Sequence, residues 1–517
     1  MNLLSVLLAL LPVLIILILL VWRRTAADIA GMVGWLCTVL VAWLYFKTPL
    51  TQTLLISLTG VIASFPITLM VGSSLLQITI MKESGAIDRV VALIKTIAPG
   101  NKIAQILILN IGIGTLLAAM GATPVSILPP IMLALGYSSF VAIALPALGY
   151  DALCTYALLG IPVVVFSNFV GLPVDEVGGY FARFMPVIST CIALAMLWIV
   201  GGWKLVWRGL IPTVLAGVTA GLIAIGMNAL GMVTLTGVAA GLGVVIVVLA
   251  YMKLTGQRLV DRSLLNEADK ASQAKMSLAA AISPWIFLTA FALLVNAPFL
   301  PFFNLTFNQW ATPVTIIPGS PEKLRILWQA YFWILVSTLA ALPWLKPGKA
   351  ALAVSFRRWL KRAPRPMLAS AVFFAIAFII NHSGKNADWQ LLDPANNMVY
   401  VIAEAASRTF GSFYAMVAPF LGLLAGFISG SETSAIAMLT AIHLSTAEKI
   451  GAIGLLIAAA SGIGGGLASV ISPAKLQNAA ASIDRIGEEG QVLRVTFVIS
   501  LAITAVAAIL TMLWAGG

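Results

Sequence analysis

The sequence predicts an all-α polytopic membrane protein made of two inverted-topology repeats with broken or re-entrant helices, about 12–14 membrane helical elements in all. Three observations predict this. Hydrophobic residues are 61% of the 517 and charged residues 9%, with mean hydropathy +1.05, whereas a soluble chain carries roughly a quarter charged residues to cover its surface. The 30 Lys and Arg and 18 Asp and Glu gather into short clusters between long apolar runs. In each half, two stretches rich in Gly, Pro and Ser interrupt those runs at corresponding places.

The composition excludes several classes. A soluble enzyme is ruled out by hydropathy. The formal charge of +12 reads as loops on the cytoplasmic side, so no nucleic-acid partner is expected. Cys37, Cys154 and Cys191 lie inside apolar runs without metal-type spacing, and the chain has 2 His, so neither a disulfide framework, a metal nor another cofactor is expected.

The elements follow in order. The first 22 residues are uncharged and end in Arg23 and Arg24. With no basic region before them, they read as a membrane helix whose N-terminus lies outside. Ile29 to Phe46 returns outward. The uncharged run Leu50 to Met81 is longer than a hydrocarbon core of roughly 30 Å requires, so it must tilt or break near Pro66. The Lys82 to Lys102 segment reads as amphipathic and cytoplasmic. From there to Asp175 the only charge is Asp151, amid "MGATPVSILPPIMLALG" and "LLGIPVVV", which no single helix accommodates. Runs Phe184 to Trp203, Leu210 to Leu230 and Val233 to Met252 alternate sides and reach a cytoplasmic loop, Lys253 to Lys275. The second half then enters from the opposite side. Its runs Leu278 to Val295, Ile326 to Leu345 and Met367 to Ile380 flank a loop, Lys346 to Arg365, with seven basic residues and no acid, which marks the cytoplasm.

The organisation is therefore a first repeat over 1–203 with breaks at 121–126 and 160–162, linking helices and a loop over 204–278, and a second repeat over 279–517 with breaks at 429–434 and 461–473. Pro124 and Pro162 are 38 residues apart, Glu432 and Pro473 are 41 apart, and the two halves start from opposite sides. Inverted repeats of this kind are a recurring plan of secondary transporters.

At a helix break the free N–H groups suit a carboxylate and the freed carbonyls suit a cation. "GATPVS" and "SGSETS" supply such ends with adjustable hydroxyls. Gly121, Thr123, Ser126, Gly430, Ser431, Thr433, Ser434 and Ser472 are thus the expected substrate contacts near the midplane. Glu432 and Asp151 are isolated acids in apolar surroundings, where a charge faces a pathway or a partner, and both are candidates for proton coupling. Glu404 and Arg408, four apart on a helix, read as a local ion pair, with Arg408 kept as a candidate for attracting an anion. His382, His443, Lys385 and Lys475 read as packing or interfacial residues. No nucleotide motif, catalytic constellation or repeated pore segment argues for a pump, an intramembrane enzyme or a channel.

The motifs "PFLGLLAGFISGSETSAIAML", "AAASGIGGGLASVISP", "IGEEGQVLRVTF", "MGATPVSILPPIMLALGY" and "LLGIPV", with "PWIFLTAF" and "AFIINHSG" between them, resemble those of the L-lactate permease family over nearly the whole chain. The resemblance implies a proton symporter for short 2-hydroxymonocarboxylates such as lactate and glycolate, in the cell membrane of a bacterium or archaeon, with about fourteen helical elements and both termini outside. The family's Gly-Ser-Asp-Thr-Ser stands here as Gly430, Ser431, Glu432, Thr433 and Ser434, and its Gly-Ile-Pro as Gly160, Ile161 and Pro162. One acid of the family pattern is missing: Leu117 takes the place of a Glu in the Gly-rich turn of the first half. That departure leaves a second expectation, a carrier or exchanger of another small organic anion, such as a hydroxy sulfonate or a larger hydroxy acid, coupled to a different ion. The implied partners are the organic anion, a proton and the lipid bilayer.

Overall fold

The computed structural model describes residues 3–21, 23, 25, 27–121, 123–296, 300–483, 485 and 487–515. The expected external termini, at residues 1, 2, 516 and 517, lie outside the described residues, as do Arg24 and Ala122. Among the described residues nine helices are long and apolar enough to cross a membrane. A tenth candidate is the pair Ser139–Asp151 and Cys154–Val170, bent by 68°, and six shorter apolar helices accompany them. The one sheet among the described residues is an antiparallel hairpin of Thr312–Val314 with Glu322–Leu324. Large apolar side chains such as Leu7, Ile18, Leu36, Trp207, Ile246 and Leu513 are exposed, as expected of a surface that meets lipid rather than water.

Close helix packing rests on glycine. Without a hydrophobic force between helices in lipid, small residues let backbones approach and gain dispersion contact. Gly217 and Gly221, four apart on Leu210–Ala229, face Thr190 and Pro186 of Met185–Arg208 so closely that a Cβ at either would overlap backbone. Gly241 on Thr236–Leu254 meets Gly112 O, where a Cβ would stand at 2.8 Å. Gly422 and Gly426 of Tyr414–Ser429 press against Ser461 O and Gly465 O of Gly454–Leu467 in the same way.

The long run after residue 50 does break. Helices Leu50–Ala63 and Phe65–Ser84 meet at Ser64, with Pro66 in the first turn of the second, where its missing N–H has no intrahelical partner to lose. The amphipathic segment is the helix Ala86–Lys95, tied to Glu267–Lys275 by Lys95 Nζ on both oxygens of Asp269, at 2.7 and 2.8 Å.

Two breaks differ in place from the expectation. The Gly-rich stretch from Ser461 is not itself a break: the helix continues to Leu467, and the interruption is the short turn from Ala468 to Ser472. Its glycines serve contact, since Gly464 rests on Pro419 O and Gly465 on Ala435. In the first half the interruption starts earlier than residue 160. The chain leaves Ser139–Asp151, makes a tight turn at Cys154–Tyr156, and takes left-handed backbone at Leu158, Leu159 and Gly160 before the helix resumes toward Val170. Two consecutive non-Gly residues with positive φ are strained, which composition alone does not announce.

Candidate functional site

The breaks of the two halves meet. Helix Glu432–Ile450 begins after Gly430, whose left-handed φ of 68° turns the chain, and Ser431 Oγ accepts from Ser434 N at 3.3 Å as its N-cap. A Cβ on Gly430 would stand 3.2 Å from Ser472 Oγ, so the N-terminus of Glu432–Ile450 lies beside that of Pro473–Ser482. Further along Pro473–Ser482, the exposed Asn478 donates from Nδ2 to Ser126 Oγ of the Pro124–Ala134 helix at 2.9 Å. Two half-helix starts, each carrying unpaired N–H groups and partial positive charge, are thereby gathered, and the first turn of Pro124–Ala134 is tied to the flank of one of them.

Both isolated acids lie in this junction, buried. Thr155 Oγ1 donates to Glu432 Oε1 at 2.6 Å, and Val470 N donates to Asp151 Oδ2 at 3.1 Å. Each bond joins the first half to the second. Lys475 Nζ donates to Ser469 Oγ at 2.7 Å and lies 4.0 Å from the centre of the Tyr150 ring. Ser469 Oγ is in turn 3.8 Å from Cys154 Sγ. Glu432 Oε2, Asp151 Oδ1 and Ser434 Oγ have no hydrogen-bond partner among the described residues. Buried polar atoms are seldom left so, and where they are, a proton, ion, water or ligand is the usual missing partner. Glycine makes the room: a Cβ on Gly466 would stand 2.7 Å from Glu432 Oε2 and 3.3 Å from Cys154 Cβ.

The expected residues divide accordingly. Asp151, Gly430, Ser431, Glu432, Thr433, Ser434 and Ser472 belong to the junction or the helix starts that form it, with Thr433 and Ser472 buried there, while half-buried Ser126 lies to the side, on the exposed Asn478. Gly121 has a φ of 79° and faces Ile334 and Leu158, with half-buried Thr123 capping no N–H through its side chain. Arg408 stands apart. It is exposed, donates to Glu404 Oε1 at 2.6 Å, and shares that acid with Lys449, at 2.8 Å. Lys449 is 17 residues along the helix from Glu432, about 25 Å at 1.5 Å per residue.

Sequence reasoning passed over Thr155 and Ser469 and read Lys475 as interfacial. For Lys475 a signal existed: it is the single charge between Lys449 and Asp484, the same isolation that marked Asp151 and Glu432. For the two hydroxyls there was none, because a Thr or Ser in a membrane helix more often bonds its own backbone.

The sequence profile of the L-lactate permease family matches residues 5–516. The chain belongs to the L-lactate permease family. It is 25% identical over 550 residues to the L-lactate permease of Salmonella typhimurium, covering 99% of this chain and 96% of that one. It is 24% identical both to the glycolate permease GlcA of Escherichia coli, over 556 residues, and to the L-lactate permease of Bacillus subtilis, over 565 residues, at 99% and 96% coverage in each case. Among solved structures, the YdaH transporter of Alcanivorax borkumensis aligns with TM-score 0.42 at 12% identity, covering 89% of this chain and 87% of that one. MtrF of Neisseria gonorrhoeae, of a class of antimetabolite efflux pumps, aligns with TM-score 0.43 at 14% identity, covering 90% and 84%. This member of the permease family is thus a multi-span helical membrane protein whose relatives are permeases.

Proposed function

We propose that this permease is a secondary transporter that carries short 2-hydroxymonocarboxylates, lactate and glycolate among them, across the plasma membrane in symport with a proton. The observation that carries the reading is one buried junction, shared by both halves, that holds two carboxyl groups with open oxygens beside a single lysine. A monocarboxylate brings one negative charge into it. Lys475 and the starts of Glu432–Ile450 and Pro473–Ser482 meet that charge, and the hydroxyls of Ser431, Ser434 and Ser472 serve the substrate's 2-hydroxyl. The proton taken by Glu432 offsets the substrate charge, so the loaded junction is no more charged than the empty one and crosses the low-dielectric core at smaller cost. Asp151, held by Val470 N, is the second candidate for that proton. Alternating access then follows from rocking one inverted repeat, 1–203, against the other, 279–517.

A second reading, another small organic anion, is favoured by one specific residue. Leu117 is buried and apolar where the family pattern has an acid, so coupling here rests on fewer carboxyls. The experiment is uptake of labelled lactate into proteoliposomes with and without an inward proton gradient, with glycolate and hydroxy sulfonates as competitors. Gradient-driven accumulation that Glu432→Gln abolishes, while lactate–lactate counterflow persists, supports the symport. Accumulation untouched by Glu432→Gln removes that residue from coupling, and folded protein that moves only a sulfonate sustains the second reading.

A further inference from the structure

A second cationic site lies at the other end of the first half's interrupted helix. The segment between Ser283–Asn296 and Ala330–Leu345 is extramembrane by hydropathy and opposite in side to the basic loop after Leu345. It folds into the short hairpin and then turns inward at Arg325. Arg325 as a residue is 8% exposed, and its head group sits beside the exposed Asn168. Its Nε donates to Phe307 O at 3.0 Å, its Nη1 donates to Asn168 Oδ1 at 3.3 Å, and its plane lies 4.0 Å from the centre of the Phe307 ring. Among the described residues no carboxylate stands within ion-pair distance of it.

An arginine held mostly out of water keeps its charge and is stabilised by an anion or further acceptors. Two neutral acceptors and a ring face do not neutralise it. The guanidinium borders a small cavity of about 20 Å³, open to solvent, between the hairpin and the break at Ser64, lined also by Pro66, Asn168, Glu322, Gln329 and Tyr331. Asn168 sits on the last turns of the helix that resumes after Gly160, so the cavity lies about 12 Å along that helix from the break. One end of the helix adjoins the Glu432 junction, and the other holds Arg325.

We infer that Arg325, positioned by Asn168 and Phe307, is an outer capture site for the carboxylate of the transported anion, occupied before the anion reaches Lys475. This rests on the transport reading for the identity of the anion, but not for the existence of the site. Arginine suits the task because its planar fork takes a carboxylate through two parallel bonds while the ring supports its face. Glu322, on the second hairpin strand, is the built-in competitor. It lines the same cavity and feels the Arg325 charge, but makes no hydrogen bond or ion pair among the described residues. Burial pushes its carboxyl up to about 7, against the pull of Arg325. The other groups facing it are Lys323 beside it, exposed, and the Tyr331 phenol; the Ile62 to Pro66 turn and Asn168 bring no charge. Above neutral pH the ionised Glu322 opposes an incoming anion, and below it the neutral acid leaves Arg325 free. Capture is therefore expected to be tighter on the acidic side of neutrality.

The test measures KM separately on the two faces, for lactate and glycolate, in cells and in inside-out vesicles. Arg325→Gln is expected to raise the external KM by roughly ten- to a hundredfold, the worth of a charge-assisted pair, with the KM at the cytoplasmic face and the maximal rate unchanged. Arg325→Lys restores part of the loss, Asn168→Ala shows a smaller rise, and Glu322→Gln flattens the rise of external KM between pH 6 and 8. An external KM unmoved by Arg325→Gln, or moved equally on both faces, overturns the proposal. If Arg325→Gln does not fold, unmoved external KM values in both Arg325→Lys and Asn168→Ala do the same. Calorimetric titration of purified Lys475→Gln protein with glycolate, with and without Arg325→Gln, separates this proposal from the transport reading. Residual binding that Arg325→Gln removes supports the outer site even where wild type transports neither acid, and residual binding that survives it, or no residual binding, sinks it.

Discussion

Gly466→Ala adds one methyl to the junction, and its consequence follows from the distances. The new Cβ would stand 2.7 Å from Glu432 Oε2, 3.2 Å from Glu432 Cδ and 3.3 Å from Cys154 Cβ, against ordinary contact near 3.5 Å or more. The carboxyl is the movable member, being the end of a side chain, so it swings away and leaves Thr155 Oγ1, its partner at 2.6 Å. Overpacking of this size costs roughly 1 kcal/mol when a side chain yields, and losing the hydrogen bond of an acid roughly 1.5–3 kcal/mol. Part of that loss falls on the loaded state if Glu432 must hold its proton at a fixed place, so uptake drops by roughly tenfold or more. Gly464→Ala is the control, because its Cβ would overlap Pro419 O, a backbone atom that cannot swing aside. It should lower thermal stability by about 3 kcal/mol. The assay pairs a thermal melt in detergent with proton-driven lactate uptake. Both variants should melt below wild type by comparable amounts, but at temperatures where each is folded Gly466→Ala should transport poorly while Gly464→Ala, whose clash lies away from the carboxyl, should still transport. Normal uptake by Gly466→Ala would falsify the need for a fixed Glu432 carboxyl, and a wild-type melt for Gly464→Ala would refute the close packing.

Lys475→Gln should raise the KM for lactate on both faces by roughly tenfold or more, since a charged donor to the carboxylate is replaced by a neutral one; binding measured with the purified protein checks it. Asp269→Ala strips the partner from Lys95, a pair whose side chains are only 8% and 12% exposed. It should lower the melting stability by about 3 kcal/mol with no change in substrate affinity. Arg408→Gln should leave uptake kinetics unaltered, because Arg408 is exposed and paired with Glu404; a raised KM would return it to the substrate path. Asn228→Ala removes the Nδ2 donor to the Tyr156 hydroxyl, at 3.0 Å, beside the first-half break, and should cost roughly 1–3 kcal/mol in a melt.

Much of this architecture is legible in residue order because each feature obeys a local rule. Apolar length predicts spans, and basic clusters such as Lys346 to Arg365 predict sides, since transferring a charge or an unpaired peptide into lipid is costly wherever it occurs. The interruptions near Pro66, Thr123 and Glu432 were legible for the same reason. Gly and Pro announce a break less reliably in the glycine-rich stretch after Ser461, where glycine serves packing. There the same residue type answers two physical needs, and only the neighbour, Pro419 O or Glu432, tells them apart.

Isolation in an apolar run singled out Asp151 and Glu432, and it applies equally to Lys475, whose charge was read as interfacial because nothing in the sequence says how deep a residue sits. Arg325 lay among polar residues outside the spans, where a buried cation has no local mark.

By itself the sequence determined that this chain lives in a bilayer, where its backbone must break, and which isolated charges the membrane makes costly, because these depend on composition and spacing alone. The tertiary structure decided which of them meet. The bond from Thr155 to Glu432 joins residues 277 apart and that from Val470 to Asp151 joins residues 319 apart, and no local pattern encodes such pairs. They exist because helices packed through glycine bring the broken ends of both halves to one buried point, where each polar group must find its partner in the other half.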